Sequence, residues 1–275
     1  MKKLLITALI ASSLCTGVVH ASEVKTLSFD NIEWGHLIPA RGDASPAAAN
    51  LWGDRTSDGA TGFLVKFKDG FSSPPHIHDV TYRGVVISGR VHNDDPAAKE
   101  MWLSAGSFWT QPAGEAHITA AEGENNIAYI EIDSGPYLVK PESEAFNNGE
   151  RPINVNESNL VWLNADDIAW LPASDSSAEV AFLWGERGEG KLGGALLKLP
   201  AGFAGNIESE AIVFHAVVIK GSLELSENNK TLNAGSYFGL NDKRSVFVAS
   251  GAEDEVTIYI RADGKYSVTS QSAEK

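Results

Sequence analysis

The stretch GFSSPPHIHDVTYRGVVISG, residues 70–89, places two histidines one residue apart between two glycines. Residues two apart on a β-strand point to the same face, about 6 to 7 Å from each other. His76 and His78 can therefore face the inside of a β-structure together and share one metal ion. Residues 106–120, GSFWTQPAGEAHITA, supply His117 as a third ligand after a turn-forming PAGE.

Much of the sequence around this motif occurs a second time along the chain, without the histidines. Residues 50–91 match residues 182–223 without a gap, at an offset of 132 that places Trp52 on Trp184. After an insertion in the first copy the offset becomes 129, which places Tyr137 on Tyr266. We infer an internal duplication, because the repeat, with both offsets taken together, covers nearly the whole chain after the first 21 residues.

Both copies have the sequence signature of β-structure. Short runs rich in Val, Ile, Phe and Tyr alternate with Gly, Asn, Asp and Pro, and no long segment has helical periodicity. The polar, turn-rich residues 139–158 separate the copies. We expect an all-β protein with a metal-binding N-terminal domain at 22–141 and a degenerate C-terminal domain at 156–268.

The histidine motifs resemble those of the cupin superfamily. Its first motif has matching spacings at Gly70, His76, His78, Tyr82 and Gly89, and its second at Gly106, Pro112, Gly114, His117 and Ala121. The chain looks like a bicupin, with two tandem double-stranded β-helix (jelly-roll) barrels. It is similar to the secreted, uncharacterised cupins of the DUF4437 type, grouped near the zinc-binding anti-sigma cupins.

Two positions depart from the cupin pattern. Tyr82 stands where the family usually has a glutamate ligand, and Ala121 where it usually has an asparagine. Three neutral imidazoles without a carboxylate favour an anionic, chelating substrate on the metal. The resemblance implies an iron-dependent dioxygenase acting on thiols or β-diketones, but zinc binds the same ligands. Fe(II) and Zn(II) both stay open as the divalent cofactor, with Mn and Ni as further candidates.

The second copy lacks these ligands. In the gapless match, Glu208 and Glu210 take the places of His76 and His78. Val246 takes the place of His117. We expect a structural barrel there, with both glutamates solvated or hydrogen-bonded.

Positions that are polar in the first copy and apolar in the second are candidates for chemistry. They are His117 against Val246, Thr119 against Val248 and Glu131 against Ile260. Thr119 shares a face with His117, so we expect both to line the cavity.

Tyr82 and Glu131 are the candidate catalytic residues, and each also has an interpretation without a catalytic role. Tyr82 is either a phenol at the metal or a core aromatic like Phe214 of the second copy. Glu131 is either a carboxylate ligand or general base beside the metal, its pKa raised by burial, or a solvent-facing residue.

Several other residues are weaker candidates for a place in or near the site. Trp109 and Phe108 are candidates for the cavity wall. His36 and His92 lie outside both motifs, and His215 should face away from the cavity. Glu115 is either near the ligands or exposed.

The first 21 residues have the layout of a secretory signal peptide: MKK, an apolar run and a small-residue end at VHA. We expect cleavage after Ala21 and a periplasmic or secreted protein. Loss of Lys2 and Lys3 takes the formal net charge from −14 to −16. This acidity argues against nucleic acid and against anionic membrane surfaces as partners.

Two functions from different classes remain open at this stage. The first is a three-histidine metalloenzyme, dioxygenase-like, acting on a small organic substrate. The second is a zinc-containing barrel that binds or senses a small ligand without turnover. A homodimer also stays open.

Overall fold

The computed structural model describes residues 24–271 except 170, 172, 175, 187, 228 and 242, with the backbone alone at 173 and 174. The expected leader, residues 1–21, lies outside the described residues. Within the described part, no helix has the length and apolar character needed to cross a bilayer.

The described chain is nearly all β-structure, as the sequence predicts. Its first eleven strands are β1 (Lys25–Leu27), β2 (Gly35–His36), β3 (Ala47–Trp52), β4 (Thr61–Phe67), β5 (His76–His78), β6 (Tyr82–Asp94), β7 (Leu103–Ser104), β8 (Phe108–Gln111), β9 (Ile118–Ile132), β10 (Val139–Pro141) and β11 (Ile153–Val155). The next twelve are β12 (Leu163–Asn164), β13 (Ala173–Ser174), β14 (Glu179–Gly185), β15 (Gly193–Leu199), β16 (Ala204–Ser209), β17 (Phe214–Lys220), β18 (Ser222–Leu225), β19 (Lys230–Asn233), β20 (Tyr237–Leu240), β21 (Ser245–Ser250), β22 (Val256–Ala262) and β23 (Tyr266–Ser270). Short 3-10 helices occupy Phe29–Asn31, Pro39–Ala44, Glu142–Glu144, Glu157–Asn159 and Ala165–Asp167.

The strands form two tandem jelly-roll barrels. In the first, an eight-stranded sheet has the order β11-β8-β6-β9-β4-β3-β2 with β7 added to β6. A bridge from His76 of β5 to His117, one residue before β9, joins the β10-β5 pair to this sheet, and a second bridge links Ser72 to Ala120 of β9. The second barrel consists of a seven-stranded sheet, β1-β20-β17-β22-β15-β14-β12, and a six-stranded sheet, β13-β23-β16-β21-β18-β19.

The barrels exchange their leading strands. β1 precedes the first barrel in sequence but pairs antiparallel with β20 of the second. β11 precedes the second barrel but pairs antiparallel with β8 of the first. Each barrel therefore completes a sheet edge of the other, which covers backbone groups that an open edge would expose.

Period-two alternation divides the apolar residues among three cores. On β4, Phe63, Val65 and Phe67 pack inside the first barrel, whereas Leu64 packs against the second. On β15, Leu197 packs inside the second barrel and Leu196 packs against the first. The middle core therefore lies between the barrels, and it holds them together by burying apolar surface from both.

Matching tryptophans anchor this interface. Trp52 Nε1 donates to the Tyr129 hydroxyl at 3.1 Å, and Trp184 Nε1 donates to the Tyr259 hydroxyl at 2.8 Å. The ring of His215 stacks on Trp52 with centroids 4.0 Å apart. This is where the sequence places His215, away from the cavity of the first barrel.

The turn before the histidine motif requires glycine. Gly70 has a φ of 68°, and Gly202, its match in the second copy, has a φ of 70°. Left-handed values of this kind strain a residue that has a Cβ atom. The same turn therefore leads into β5 in one barrel and into β16 in the other.

Candidate metal centre

Backbone pairing brings the three histidines together. His76 and His78 lie at the two ends of β5, and the intervening Ile77 points to the other face, where it is fully buried. His76 N–H donates to the His117 carbonyl at 3.0 Å, and His117 N–H donates to the His76 carbonyl at 3.0 Å. This reciprocal pair places His117, one residue before β9, directly opposite His76.

The three side chains converge on one point. One ring nitrogen from each of His76, His78 and His117 lies within 4.8 Å of the other two. The ring centroids are between 4.3 and 5.2 Å apart. All three residues are buried. The structure therefore brings the three predicted ligands into one cluster.

Hydrogen bonds determine which nitrogen of each ring carries a proton. The Nδ1 atoms of His76, His78 and His117 lie 3.0, 3.1 and 3.0 Å from the backbone carbonyls of Pro74, Leu138 and Glu115, respectively. Because a carbonyl oxygen only accepts, each Nδ1 is the donor. Each Nε2 then keeps its lone pair, as a metal ligand must.

Burial keeps these rings neutral. Loss of solvent lowers the pKa of His117 to about 3, and the charge of a protonated His76 would lower it further. Burial also lowers the pKa of His76, and it lowers that of His78 well below the ordinary value. Since a metal ion binds the neutral imidazole, the cluster needs no deprotonation step before binding at neutral pH.

Tyr82 is the fourth polar group at the centre. Its hydroxyl is buried and lies 3.4 Å from His117 Nε2 and 2.9 Å from Asn93 Oδ1. Thr119 Oγ1 donates to the same Asn93 oxygen at 2.8 Å. As predicted, Thr119 lines the cavity.

A chain of amides fixes the direction of the Tyr82 hydroxyl. Gln111 Nε2 donates to the Glu115 carbonyl at 3.2 Å, so Gln111 Oε1 must accept from Asn93 Nδ2, at 2.9 Å. Asn93 therefore presents its oxygen to Tyr82, whose only hydroxyl proton is used in that bond. The Tyr82 oxygen and His117 Nε2 then face each other as two acceptors. A metal ion, or a donor bound to it, suits the space between them.

Asn93 and Gln111 are site residues that the sequence reasoning missed. Both are buried, and the first-copy positions align with Leu225 and Leu240, which are core residues of the second barrel. The polar-against-apolar comparison that selected Thr119 would have found both if it had been applied to β6 and β8.

A pocket beside the centre, with His76 and His78 in its wall, has about 560 Å³ of atom-free space, a volume that includes the open solvent at its opening. Trp109, Tyr137, Phe71 and Ile130 contribute to its walls. Trp109 is therefore a wall residue, as expected. Phe108 is not, because it faces the core between the barrels.

The structure places Glu131 away from the histidines. The residue is buried between the barrels, where it accepts hydrogen bonds from Tyr259 at 2.7 Å, Arg261 at 3.2 Å and Tyr129 at 3.1 Å. Neither expectation for Glu131, a carboxylate beside the metal or a solvent-facing side chain, describes this position.

The reason is a difference of one residue in strand register. Glu131 pairs with Gly62 across β9 and β4, and Arg261 pairs with Gly194 across β22 and β15. Glu131 therefore corresponds in structure to Arg261 rather than to Ile260. A shift of one residue moves a side chain to the opposite face of the sheet.

The second barrel has an apolar interior at the matching place. Val246 pairs with Ile207, and Ile207 and Ser209 are buried while Glu208 and Glu210 are exposed. The expectation that the two glutamates are solvated is met. His76 pairs with His117 in the same way that Ile207 pairs with Val246. In structure, His76 therefore corresponds to Ile207, one residue before the Glu208 that the gapless sequence match assigns to it.

The remaining candidates have other surroundings. His92 is buried and lies 3.2 Å from the Met101 carbonyl, and His36 is exposed. Glu115 acts through its backbone carbonyl, which accepts from both His117 and Gln111.

Comparison with known proteins supports this fold. A solved structure described as a putative dioxygenase from Nostoc punctiforme has a TM-score of 0.65 at 15% identity, and the match covers 88% of this chain and 83% of that one. Quercetin 2,3-dioxygenase from Acinetobacter baumannii has a TM-score of 0.56 at 13% identity, covering 88% and 79%. Oxalate decarboxylase of Bacillus subtilis, described with Mn(II) centres, has a TM-score of 0.52 at 12% identity, covering 89% and 78%.

Comparison with curated proteins gives no significant match. The family model of the domain of unknown function DUF4437 matches residues 25–269, which is most of the chain. The chain therefore belongs to the DUF4437 family and has the cupin fold.

Proposed function

We propose that the protein is a periplasmic or secreted metalloenzyme with one divalent ion on His76, His78 and His117. It acts on a small organic substrate by dioxygenase-type chemistry. The observation that carries this proposal is the grouping of three buried histidines with unprotonated Nε2 atoms, two of which, His76 and His78, line a largely apolar pocket. Dioxygenases among the proteins of similar fold support the choice of reaction class.

The donor set suits an ion of borderline softness. Imidazole nitrogens bind zinc, iron, nickel and copper, and the Mn(II) centres described for oxalate decarboxylase keep manganese among the candidates. Such an ion supplies Lewis acidity and, when it is iron, redox chemistry with dioxygen. Among the residues that the structure describes, no carboxylate belongs to the cluster, so three imidazoles would leave the charge of the ion uncompensated for an anionic substrate.

The chain's own residues would orient that substrate. The Tyr82 hydroxyl donates its proton in a hydrogen bond to Asn93, so its oxygen is free to act as an acceptor beside His117. The Tyr137 hydroxyl lies 3.3 Å from His78 Nε2 and is a donor that can turn toward a bound molecule. The walls of the pocket are mostly apolar, which favours burial of the apolar part of a substrate.

Metal analysis and oxygen uptake test the proposal. The protein is purified from its native compartment, its metal content is measured, and oxygen consumption is followed after adding β-diketones, thiols and phenolic compounds. We expect about one ion per chain and oxygen uptake with one of these classes. His117→Ala should lose both, whereas His215→Gln, a histidine change outside the pocket, should keep both.

Full zinc occupancy with no oxygen uptake from any class would contradict the oxygenase proposal. It would instead support the alternative in which the barrel binds or senses a ligand. Metal content unchanged in His117→Ala would contradict the ligand assignment itself.

A further inference from the structure

The mouth of the pocket carries one cation. Arg41 belongs to the 3-10 helix Pro39–Ala44, and among the described residues that line the pocket it is the only one with a full charge at neutral pH. The other wall residues at this end, including Leu37, Ile38 and Pro46, are apolar. A positive group thus stands at the entrance of an otherwise uncharged pocket, in a chain whose formal net charge is −14.

Hydrogen bonds close the segment that carries Arg41 on itself, and one bond joins it to Lys68, the residue after β4. Leu37 N–H donates to the Pro46 carbonyl at 2.9 Å, and Ile38 N–H donates to Ser45 Oγ at 2.8 Å. Lys68 Nζ donates to the Asp43 carbonyl at 2.9 Å. The guanidinium is therefore presented from a held loop, which lowers the entropy lost when a ligand binds to it.

Arg41 is exposed, and its guanidinium has no hydrogen-bond or ion-pair partner among the described residues. The nearby acid on the same helix, Asp43, lies instead within 4.0 Å of His36. Arginine is well suited to a planar carboxylate because its fork of N–H groups can make two parallel bonds. The free charge and its position point to an anionic group of the ligand.

We propose that the substrate is an amphipathic organic acid whose carboxylate is bound by Arg41. Its apolar body lies along the pocket wall, and a second polar group reaches the histidine cluster. This inference rests on the proposed function for the role of the cluster, but the contact with Arg41 is independent of it. Arg41 would be a specificity-determining residue, since a neutral analogue of the same shape cannot form the charge-assisted pair of hydrogen bonds with its guanidinium.

Calorimetric titration with a series of ω-(4-hydroxyphenyl)alkanoates, from 4-hydroxybenzoate to 5-(4-hydroxyphenyl)pentanoate, tests the assignment against the matching primary amides. The metal-loaded protein should bind at least one acid about tenfold more tightly than its amide. Arg41→Gln should remove this preference and leave the affinity for the amide unchanged, whereas Arg41→Lys should keep part of it. Arg90→Gln, a change at an arginine paired with Glu122 outside the pocket, is the matched control and should behave like the unchanged protein.

Repeating the titration with His117→Ala separates the two proposals. An Arg41-dependent preference that survives in this variant assigns the carboxylate to Arg41 whether or not the metal proposal holds. Equal affinity for acids and amides, an equal loss of both in Arg41→Gln, or no binding across the whole series would overturn the inference.

Discussion

At the scale of single residues, the hydrogen bond made by Nδ1 of each imidazole sets the tautomer of the ring. Three backbone carbonyls hold the Nδ1 protons of His76, His78 and His117, so the lone pairs on Nε2 all point toward the centre. Backbone acceptors cannot change protonation state, and this makes the arrangement insensitive to pH in the neutral range.

Removing the Tyr82 hydroxyl should change reactivity but neither folding nor metal content. In Tyr82→Phe, Asn93 Oδ1 still accepts from Thr119, and Phe214 occupies the matching place in the second barrel. We expect a change in unfolding free energy of about 1 kcal/mol or less, with the metal retained. Urea denaturation and metal analysis measure both quantities, and loss of the metal would show that Tyr82 is itself a required ligand.

At the scale of elements, three strands share one polar connection. Asn93 at the end of β6 links Gln111 on β8 to Thr119 on β9, and every member faces the inside of the first barrel. A buried network of this kind depends on each member being satisfied, because an unpaired buried amide is destabilising.

The amide pair should therefore show strong coupling. Gln111→Leu leaves Asn93 Nδ2 without its acceptor and should destabilise the fold by about 1 to 3 kcal/mol. Asn93→Leu should also be destabilising, but the double variant places the second barrel's leucines at both positions. We expect its loss to be smaller than the sum of the single losses by about 1 kcal/mol or more. If urea denaturation shows that the losses of unfolding free energy in the two single variants add up to that of the double variant, Asn93 and Gln111 are not coupled.

The element scale also shows how far sequence reasoning reaches. Residue pattern predicts the β-class and places His76 and His78 on one face of a strand, because period two constrains where those side chains point. The resemblance to the cupins adds the two barrels and the grouping of His117 with that pair. Sequence reasoning fails for Glu131, since a one-residue register difference reverses the face and no local signal marks it. The pairing of β1 with the second barrel is likewise a tertiary contact that the composition of Lys25–Leu27 does not reveal. The duplication and the boundaries at 141 and 156 stay predictions.

At the scale of the whole molecule, charged and aromatic residues join the two barrels. Glu131 from the first barrel meets Arg261 from the second, and Arg83 from the first lies 3.6 Å above the ring of Trp184. Asp133 contacts Arg83 at 2.8 Å and Arg261 at 2.7 Å. We therefore assign Glu131 to the interface between the barrels.

Glu131→Gln should lower stability without lowering metal content. Removing the charge leaves Arg261 with Asp133 alone, and disrupting a buried ion pair is destabilising by roughly 3 kcal/mol. Glu122→Gln, on the same strand but half exposed and paired with Arg90, should change stability by about 1 kcal/mol or less. Loss of metal in Glu131→Gln, with stability unchanged, would return Glu131 to the catalytic candidates.

The interface should also make stability depend on pH through His215. Burial, and then the charges of Arg261 and Lys25, lower the pKa of His215 to about 4. The unfolded chain takes up this proton near pH 6.5 and the folded protein does not, so the contribution is complete above pH 6.5 and is lost as the pH falls toward 4.

His215→Phe keeps a ring on Trp52 but cannot take up a proton. Between pH 6.5 and 4.5 its unfolding free energy should fall less steeply than that of the unchanged protein, by about 1 kcal/mol per pH unit. Urea denaturation at several pH values measures both slopes. Parallel slopes would show that the ring of His215 is accessible to protons in the folded state.

The measurement that tests the metal centre most directly is anomalous diffraction from crystals of the protein purified with its native metal. We predict one anomalous peak inside the first barrel, about 2.0 to 2.1 Å from the Nε2 atoms of His76, His78 and His117 if the ion is zinc. A fully occupied ion bound elsewhere, with no peak among these three rings, would contradict the account.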